Sequence, residues 1–237
     1  MLEYVLFFIV YFFSNIIQVF TGFGGTMLAM PFSILLLGVN TARAVLNASG
    51  IITCAVVALL NRKHIRCKEF LKISLIMLAG VIFGLWLFEQ ARLALLLKIY
   101  AGVIIAVALF NIFSRIKIRL PLPVQIIVLF CAGVIHGMFI SGGSLLVVYS
   151  SLVLTDKKEF RATLSLVWVF LNALLAGYHF YLGYFTPAAW LLILISVPIF
   201  AATLFIGNLV HKKINQKAFY YLVNALLIVS GIVLLVT

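Results

Sequence analysis

Long apolar runs constrain this chain more than any other feature. A helix of about 20 apolar residues crosses the hydrocarbon core of a bilayer, and runs near that length recur throughout the sequence. We delimit ten apolar segments, at 3–20, 26–38, 43–60, 70–88, 93–113, 123–140, 144–155, 162–178, 187–207 and 217–236. Segments 26–38 and 144–155 are too short to cross, whereas the other eight approach the required length. The pattern predicts an all-α polytopic membrane protein surrounded by a lipid bilayer.

Composition excludes a separate soluble domain. The chain is 66% hydrophobic and 9% charged, with a mean hydropathy of +1.29. Its net charge of +12 would suggest nucleic acid as a partner of a soluble protein. Here Lys and Arg fall in short connections between apolar segments, so membrane topology explains them and no nucleic acid is expected. Cys54, Cys67 and Cys131 have no metal or redox spacing, and neither a metal nor a cofactor is expected.

The charged connections predict the orientation of the segments. Basic residues cluster at 61–68, 114–119, 155–161 and 211–217, whereas the N-terminal stretch and 178–185 carry no Lys or Arg. Basic connections favour the cytoplasmic side. Residues 1–113 then start outside and end inside, 114–122 form a basic cytoplasmic linker, and 123–237 start inside and end outside. We therefore expect two inverted repeats of about five helical elements each.

Similarity between the halves supports this inverted repeat. A shift of 118 residues aligns 24–47 with 142–165 without a gap, and eight of those 24 positions are identical. Apolar composition inflates such counts, but it does not readily supply a paired Gly-Gly at Gly24–Gly25 and Gly142–Gly143. The same shift pairs Arg43 with Arg161 and places Thr26 opposite Ser144.

The paired glycines predict broken helices near the membrane midplane. "GFGGT" (22–26) and "ISGGS" (140–144) each precede a short apolar segment. Backbone that leaves the helical path at membrane depth survives only where it lines a polar cavity or is covered by protein. Interrupted segments at matching places in two inverted halves indicate a transporter's substrate site. The alternative is that these glycines serve only close helix packing, which is our interpretation of "GVIFG" (80–84).

The residues around the breaks favour an anion as the solute. A helix N-terminus offers unpaired N–H donors and partial positive charge, and Thr26 or Ser144 could cap it or contact the solute. Arg43 and Arg161 could contact or attract an anion, or serve only as interfacial anchors and topology charges. Every Asp and Glu lies at or near a segment end, so a cation site or carboxylate proton relay is poorly supported.

Polar side chains inside the segments supply further candidates. His136, which matches Gln18 under the shift, lies deep in its segment, where an ionisable residue is costly. It could bind an anion, shuttle a coupling proton or be a neutral structural histidine. Asn47 and Ser165 could line the cavity or form only interhelical hydrogen bonds, as could Ser49 and Asn172.

At the glycine motifs the sequence resembles the TauE/SafE family of sulfite-exporter-like membrane transporters. The resemblance is carried by "TGFGGTMLAMP" (21–31), "LGVNTARAVLNAS" (37–49), "GMFISGGSLLVVYSSL" (137–152) and "FRATLS" (160–165). It implies an inner-membrane carrier for small anions, often sulfite, sulfonates or organosulfur carboxylates. The sequence departs from the family pattern at Thr26, Ser144, Ile140 and Tyr149. The candidate substrate-binding residues are Gln18, Thr21, Gly22, Gly24, Gly25, Thr26, Arg43, Asn47, His136, Ser141, Gly142, Gly143, Ser144, Arg161 and Ser165.

These observations predict a secondary transporter, an exporter of a small anion that works by alternating access. An anion channel with the same breaks as its filter is the alternative. A membrane enzyme is not expected, because the sequence has no HExxH motif and no Ser/His/Asp constellation, and a pure scaffold would not need duplicated breaks. His136 favours a proton over sodium as the coupling ion, because it is the titratable candidate deep in a segment. The sequence leaves the substrate, the direction of transport and the oligomeric state open.

Overall fold

The chain folds into helices throughout the part that the structure describes. A computed structural model gives the backbone of residues 2–21, 25–113, 121–210 and 216–236, with all side chains in these ranges except those of 20, 21, 111, 206–210, 216–220, 222 and 223. A 3₁₀ turn, Arg62–His64, follows the third helix. The helices are α1 Leu2–Thr21, α2 Gly25–Leu37, α3 Val39–Leu60, α4 Cys67–Gln90, α5 Leu93–Phe113, α6 Leu122–Phe139, α7 Gly143–Val153, α8 Lys157–Tyr181, α9 Pro187–Val210 and α10 Gln216–Val236.

The predicted all-α membrane architecture is confirmed. Among the described residues, seven helices are long and apolar enough to cross a bilayer: α1, α3, α4, α5, α6, α8 and α9. An eighth predicted crossing, α10, has 21 residues, but several of its side chains lie outside the described set. Large apolar side chains such as Trp86, Leu194 and Phe205 remain exposed on the outer faces. Lipid would cover such a surface, which in water would be an aggregation hazard.

The two predicted short helices are also confirmed. Helix α2 has 13 residues and α7 has 11, and each begins at the second glycine of its pair, Gly25 or Gly143. The preceding helices end at Thr21 and Phe139. At the second break Ile140 adopts the left-handed conformation, with φ of 56°, and its N–H still donates to the carbonyl of His136 at 2.8 Å. The chain thus reverses after α6 while retaining one further backbone hydrogen bond.

Glycines bring α4 and α6 into close contact. A methyl group added at Gly80 would lie 2.2 Å from the carbonyl oxygen of Phe130, and one at Gly133 would lie 2.2 Å from that of Met77. Gly84 and Gly137 are similarly placed against Val134 and Val81. Small residues permit such approach of membrane helices, where dispersion contacts drive association. The close-packing interpretation of Gly80 and Gly84 agrees with this geometry.

The helices pair in a pattern with matching partners in the two halves. Helices α3 and α8 pack against each other, as do α5 and α10. Helix α4 packs on α6, and α9, its counterpart in the second half, packs on α1, the counterpart of α6. These pairings are compatible with a two-fold pseudosymmetric arrangement of the two halves. The inverted orientation and the division at 113 and 123 stay predictions.

One end of the bundle, which we call the basic face, holds the connections α3–α4 and α7–α8. The Arg66 Nε atom donates to Glu159 Oε2 at 2.9 Å across these connections. Asp156 accepts backbone hydrogen bonds from Lys158 and Glu159 and caps α8. The bond from Glu159 is the main cause that lowers the pKa of Asp156, because it stabilises the charged carboxylate. At the opposite face Tyr178 donates to Glu89, joining α8 to α4.

Candidate functional site: a polar cavity between the broken helices

A polar cavity lies between α1, α2, α3, α6, α7 and α8. The space between the lining atoms amounts to about 560 Å³, a figure that includes the part open to the surroundings. On α3 its lining spans 46–54 and on α8 it spans 168–172, which are the middle portions of two spanning helices. The lining residues are Tyr11, Ser14, Asn15, Gln18, Gly25, Thr26, Ala29, Leu46, Ser49, Gly50, Thr53, Cys54, His136, Ile140, Gly143, Trp168 and Asn172.

Both glycine breaks reach this cavity. Gly25 and Thr26 line it from the start of α2, and Ile140 and Gly143 line it from the second break. The first N–H groups of a helix have no partner within that helix and carry partial positive charge. One of these donors is already used, because the N–H of Gly25 donates to Gln18 Oε1 at 2.9 Å. A solute at this end would therefore compete with, or bind beside, the Gln18 side chain.

Other residues of the breaks serve packing. A methyl group at Gly142 would lie 2.1 Å from the carbonyl oxygen of Ala132, so Gly142 lets the chain fold back onto α6. The Ser141 hydroxyl accepts from Tyr100 Oη at 2.7 Å and donates to the carbonyl of Phe139 at 2.8 Å. Ser141, Gly142 and Ser144 do not line the central cavity in this conformation. Gly22 and Gly24 lie outside the described residues, and of Thr21 only the backbone, at the end of α1, is described.

His136 contributes an imidazole to the cavity wall. Its Nε2 atom is 2.9 Å from Asn172 Oδ1, and its ring lies 4.7 Å from that of Trp168. His136 is buried, and Nδ1 has no hydrogen-bond partner among the described residues. If Oδ1 of Asn172 accepts, Nε2 carries the proton and Nδ1 is left as a lone acceptor. Because most buried polar atoms have a hydrogen-bond partner, a water or a ligand could bind at this atom.

Helix α1 supplies a polar stripe that the sequence interpretation missed apart from Gln18. Tyr11, Ser14, Asn15 and Gln18 recur at helical spacing and all line the cavity. Ser14 Oγ donates to the carbonyl of Val10 at 2.6 Å, and Asn15 Nδ2 donates to that of Tyr11 at 2.8 Å. The i, i+3, i+4, i+7 pattern within an apolar segment was the available signal. A similar stripe on α3 presents Ser49, Gly50, Thr53 and Cys54.

Arg43 and Asn47 lie nearer the opposite face and outside the central cavity. Arg43 is 1% exposed, its Nη2 donates to the carbonyl of Gly137 at 2.9 Å, and its guanidinium lies 4.0 Å from the ring centre of Phe88. Asn47 Nδ2 is 3.5 Å from His179 Nδ1. The burial of Arg43 argues against an exposed interfacial anchor. Its carbonyl and aromatic contacts partly offset the cost of burying a cation.

Arg161 and Ser165 line a second, smaller cavity on the side of the basic face. Ser165 Oγ donates to the carbonyl of Arg161 at 2.7 Å, within α8. Gln18 lines both cavities and connects them. The residues described include no group of three or more His, Cys, Asp or Glu that could hold a metal ion, and none of those lining the central cavity is acidic.

One comparison with known proteins identifies a family. The family model described as Sulfite exporter TauE/SafE matches residues 7–234 of the 237 in the chain. No curated protein and no solved structure matches significantly. The match covers both breaks and both cavities, so it extends across the whole helical body described above.

Proposed function

The chain belongs to the TauE/SafE sulfite exporter family, and on that premise we propose that it exports a small sulfur-containing oxyanion, sulfonate or organosulfur carboxylate by alternating access. The membrane would be the cell inner membrane. The observation that carries the proposal is the joint lining of one polar cavity by both broken helices, at the middle of α3 and α8. In known carriers, solutes bind near the midplane at the interface of inverted repeats.

The electrostatics of the cavity favour an anion over a cation. None of the described lining residues is acidic, and two helices, α2 and α7, begin at its wall. Helix N-termini bind sulfate- and phosphate-like groups through backbone N–H donors and the helix dipole. Hydroxyl and amide groups of Thr26, Ser49 and Asn172 could add neutral hydrogen bonds. Such a set can hold a small oxyanion without a permanent charge that would oppose its release.

His136 is the proposed site of proton coupling. It is the titratable imidazole of the lining and has an unpartnered Nδ1 atom. A proton taken up at Nδ1 would add a positive charge beside a bound anion. The site would lose that proton when the anion is released. Coupling in this form predicts that transport of labelled anion responds to a pH gradient, whereas a uniporter would be indifferent to it.

The experiment is counterflow of labelled sulfite, sulfate, taurine or sulfoacetate into proteoliposomes that contain the same unlabelled anion. The occluding variant is Gly50→Leu, because a methyl group at Gly50 would meet, within 4 Å, only Asn172 Nδ2, at 3.2 Å. Its side chain would therefore fill cavity space with little conflict with the backbone. We expect uptake to fall at least about tenfold, since space for the solute is lost.

Gly102→Leu is the matched control, because Gly102 lies within α5 and a methyl group there would meet nothing within 4 Å. It should transport at the wild-type rate. Saturable counterflow lost in Gly50→Leu alone would support the carrier. Flux without saturation or trans-stimulation would favour the anion channel instead, and no flux for any anion of this class would refute the proposal.

A further inference from the structure

The second cavity lies between the central cavity and the basic face. The space between its lining atoms amounts to about 290 Å³, including the part open to the surroundings, and the lining residues are Gln18, Val19, Thr53, Cys54, Val57, Arg161, Ser165, Phe200 and Leu204. On α3 it takes residues nearer the α3–α4 connection, and on α8 it takes residues near the start of that helix. Three residues, Gln18, Thr53 and Cys54, line both cavities. The two spaces are therefore neighbours in series along one route.

Arg161 carries the one permanent charge among the described residues that line the two cavities. Its side chain is half-buried, and the described part of the chain provides no ion-pair or hydrogen-bond partner for the guanidinium. A cation in a low-dielectric cleft focuses the field and concentrates anions. Its position precedes the central cavity for a solute that arrives from the basic face.

Arg43 is the counterpart of Arg161 in the other half, and its surroundings correspond. The shift of 118 residues that pairs the two arginines also pairs Gly137, the acceptor of Arg43, with Val19. Val19 lines the cavity of Arg161. Arg43 also contacts Phe88 of α4, and Phe200 from α9, the counterpart helix, lines the cavity of Arg161. The two sites differ in how tightly they are packed. The guanidinium of Arg43 lies against the carbonyl of Gly137 and the ring of Phe88, whereas Arg161 lines a cavity.

We infer that the cavity of Arg161 is an anion-binding vestibule between the basic face and the central cavity, and that Arg43 marks the equivalent vestibule of the other half in its closed form. The inference rests on the proposed function, since a carrier needs an approach to its central site from each side. The vestibule would be a second anion-binding site besides the central cavity, and Arg161 would be the residue that selects for negative charge. On this inference, the open side of the route is at the basic face and the closed side is at the opposite face.

Charge-selective labelling of a cysteine tests the vestibule. Cys54, which lines both cavities, is kept as the sole cysteine, with Cys67→Ser and Cys131→Ala. Sealed vesicles are treated from the basic face with an anionic and a cationic thiosulfonate reagent of similar size. We expect the anionic reagent to react faster, and the ratio of the two rates to fall about tenfold in Arg161→Gln, because the local positive potential is lost.

Controls separate the vestibule from general surface charge and from misfolding. Arg62→Gln removes an exposed charge of the basic face and should leave the ratio unchanged. Arg161→Lys should retain the ratio, and added salt should lower it. A second reporter, Ser165→Cys, should behave like Cys54. The inference would be overturned if neither Arg161→Gln nor added salt changed the ratio of the two labelling rates. It would also be overturned if Cys54 and the cysteine at position 165 reacted with neither reagent while Cys67, in a parallel variant, did react.

The closed half has its own reporter, and the result is independent of transport. Asn47→Cys, beside Arg43, should resist both reagents from either side, and labelling as fast as that of Cys54 would overturn the assignment of a closed vestibule. Labelling needs no transported anion. If the protein transports no anion but the ratio of the labelling rates depends on Arg161, the vestibule is supported and the export proposal is refuted. Flux with a ratio independent of Arg161 would refute the vestibule alone.

Discussion

At the scale of single residues, Ile140 combines an unfavourable backbone with a favourable side chain. A left-handed conformation costs a residue with a Cβ atom about 1–2 kcal/mol, and a branched side chain is the least suited to it. Ile140 is 2% exposed, and truncation of a buried isoleucine to alanine costs about 2–5 kcal/mol. Burial outweighs the strain. This explains how isoleucine can stand at a break where glycine would be the relaxed choice.

The substitutions Ile140→Ala and Ile140→Gly test this balance. Both remove the buried side chain and should lower the thermal midpoint in detergent. Only glycine relieves the left-handed strain, so Ile140→Gly should be the more stable of the two by about 1 kcal/mol. Ile135, within α6, is the control position. There Ile135→Ala should be more stable than Ile135→Gly by a similar amount, because alanine has the higher helix propensity. The same order at both positions would show that Ile140 is not left-handed in the folded protein.

At the scale of helices, the contact between α4 and α6 depends on glycine. Gly133→Ala would place its methyl group 2.2 Å from the carbonyl oxygen of Met77, so the helices must separate. Overpacking of this kind costs about 1–3 kcal/mol, and we expect a lower thermal midpoint in detergent. Gly177→Ala, in α8 with nothing within 4 Å, should leave the midpoint unchanged or raise it slightly, because alanine has the higher helix propensity. Equal midpoints for the two variants would contradict close packing at Gly133.

The helices and their breaks were predictable because they depend on local properties. Length and apolar content define the crossings, and a glycine pair before a short segment marks each break. The direction in which a helix faces is not local. Arg43 and Arg161 have equivalent sequence contexts, yet one is sealed by α4 and α6 and the other borders a cavity. Tyr11 and Trp168 line the central cavity, but aromatic residues in a membrane segment equally suit lipid contact.

At the scale of the whole molecule, the pairing of helices agrees with the predicted inverted repeat. Helices α3 and α8 pack on each other, and the contact of α4 with α6 recurs between α9 and α1. In an inverted repeat, equivalent residues must lie on opposite sides of the membrane, because each half crosses an odd number of times. This requirement separates an inverted repeat from a parallel one, in which equivalent residues share a side.

Asn40 and Lys158 form a suitable pair for testing the inversion. They are equivalent under the shift of 118 residues, both are exposed, and each lies near the start of a long helix, α3 or α8. The experiment introduces Asn40→Cys or Lys158→Cys into a chain without its three native cysteines. Intact cells are then treated with a membrane-impermeant maleimide. We expect labelling at position 40 without permeabilisation and at position 158 only after it, because the basic connection beside Lys158 favours the cytoplasmic side.

The two sites control for each other, since both should react once the membrane is permeabilised. Labelling of both sites in intact cells, or of neither, would contradict the inverted repeat, and with it the equivalence of Arg43 and Arg161. If position 158 were labelled in intact cells and position 40 only after permeabilisation, the inverted repeat would be retained. The orientation of the whole chain in the membrane would then be the reverse of the predicted one. The open vestibule would then face the exterior, and the conformation described here would be the one that releases an exported anion or admits an imported one.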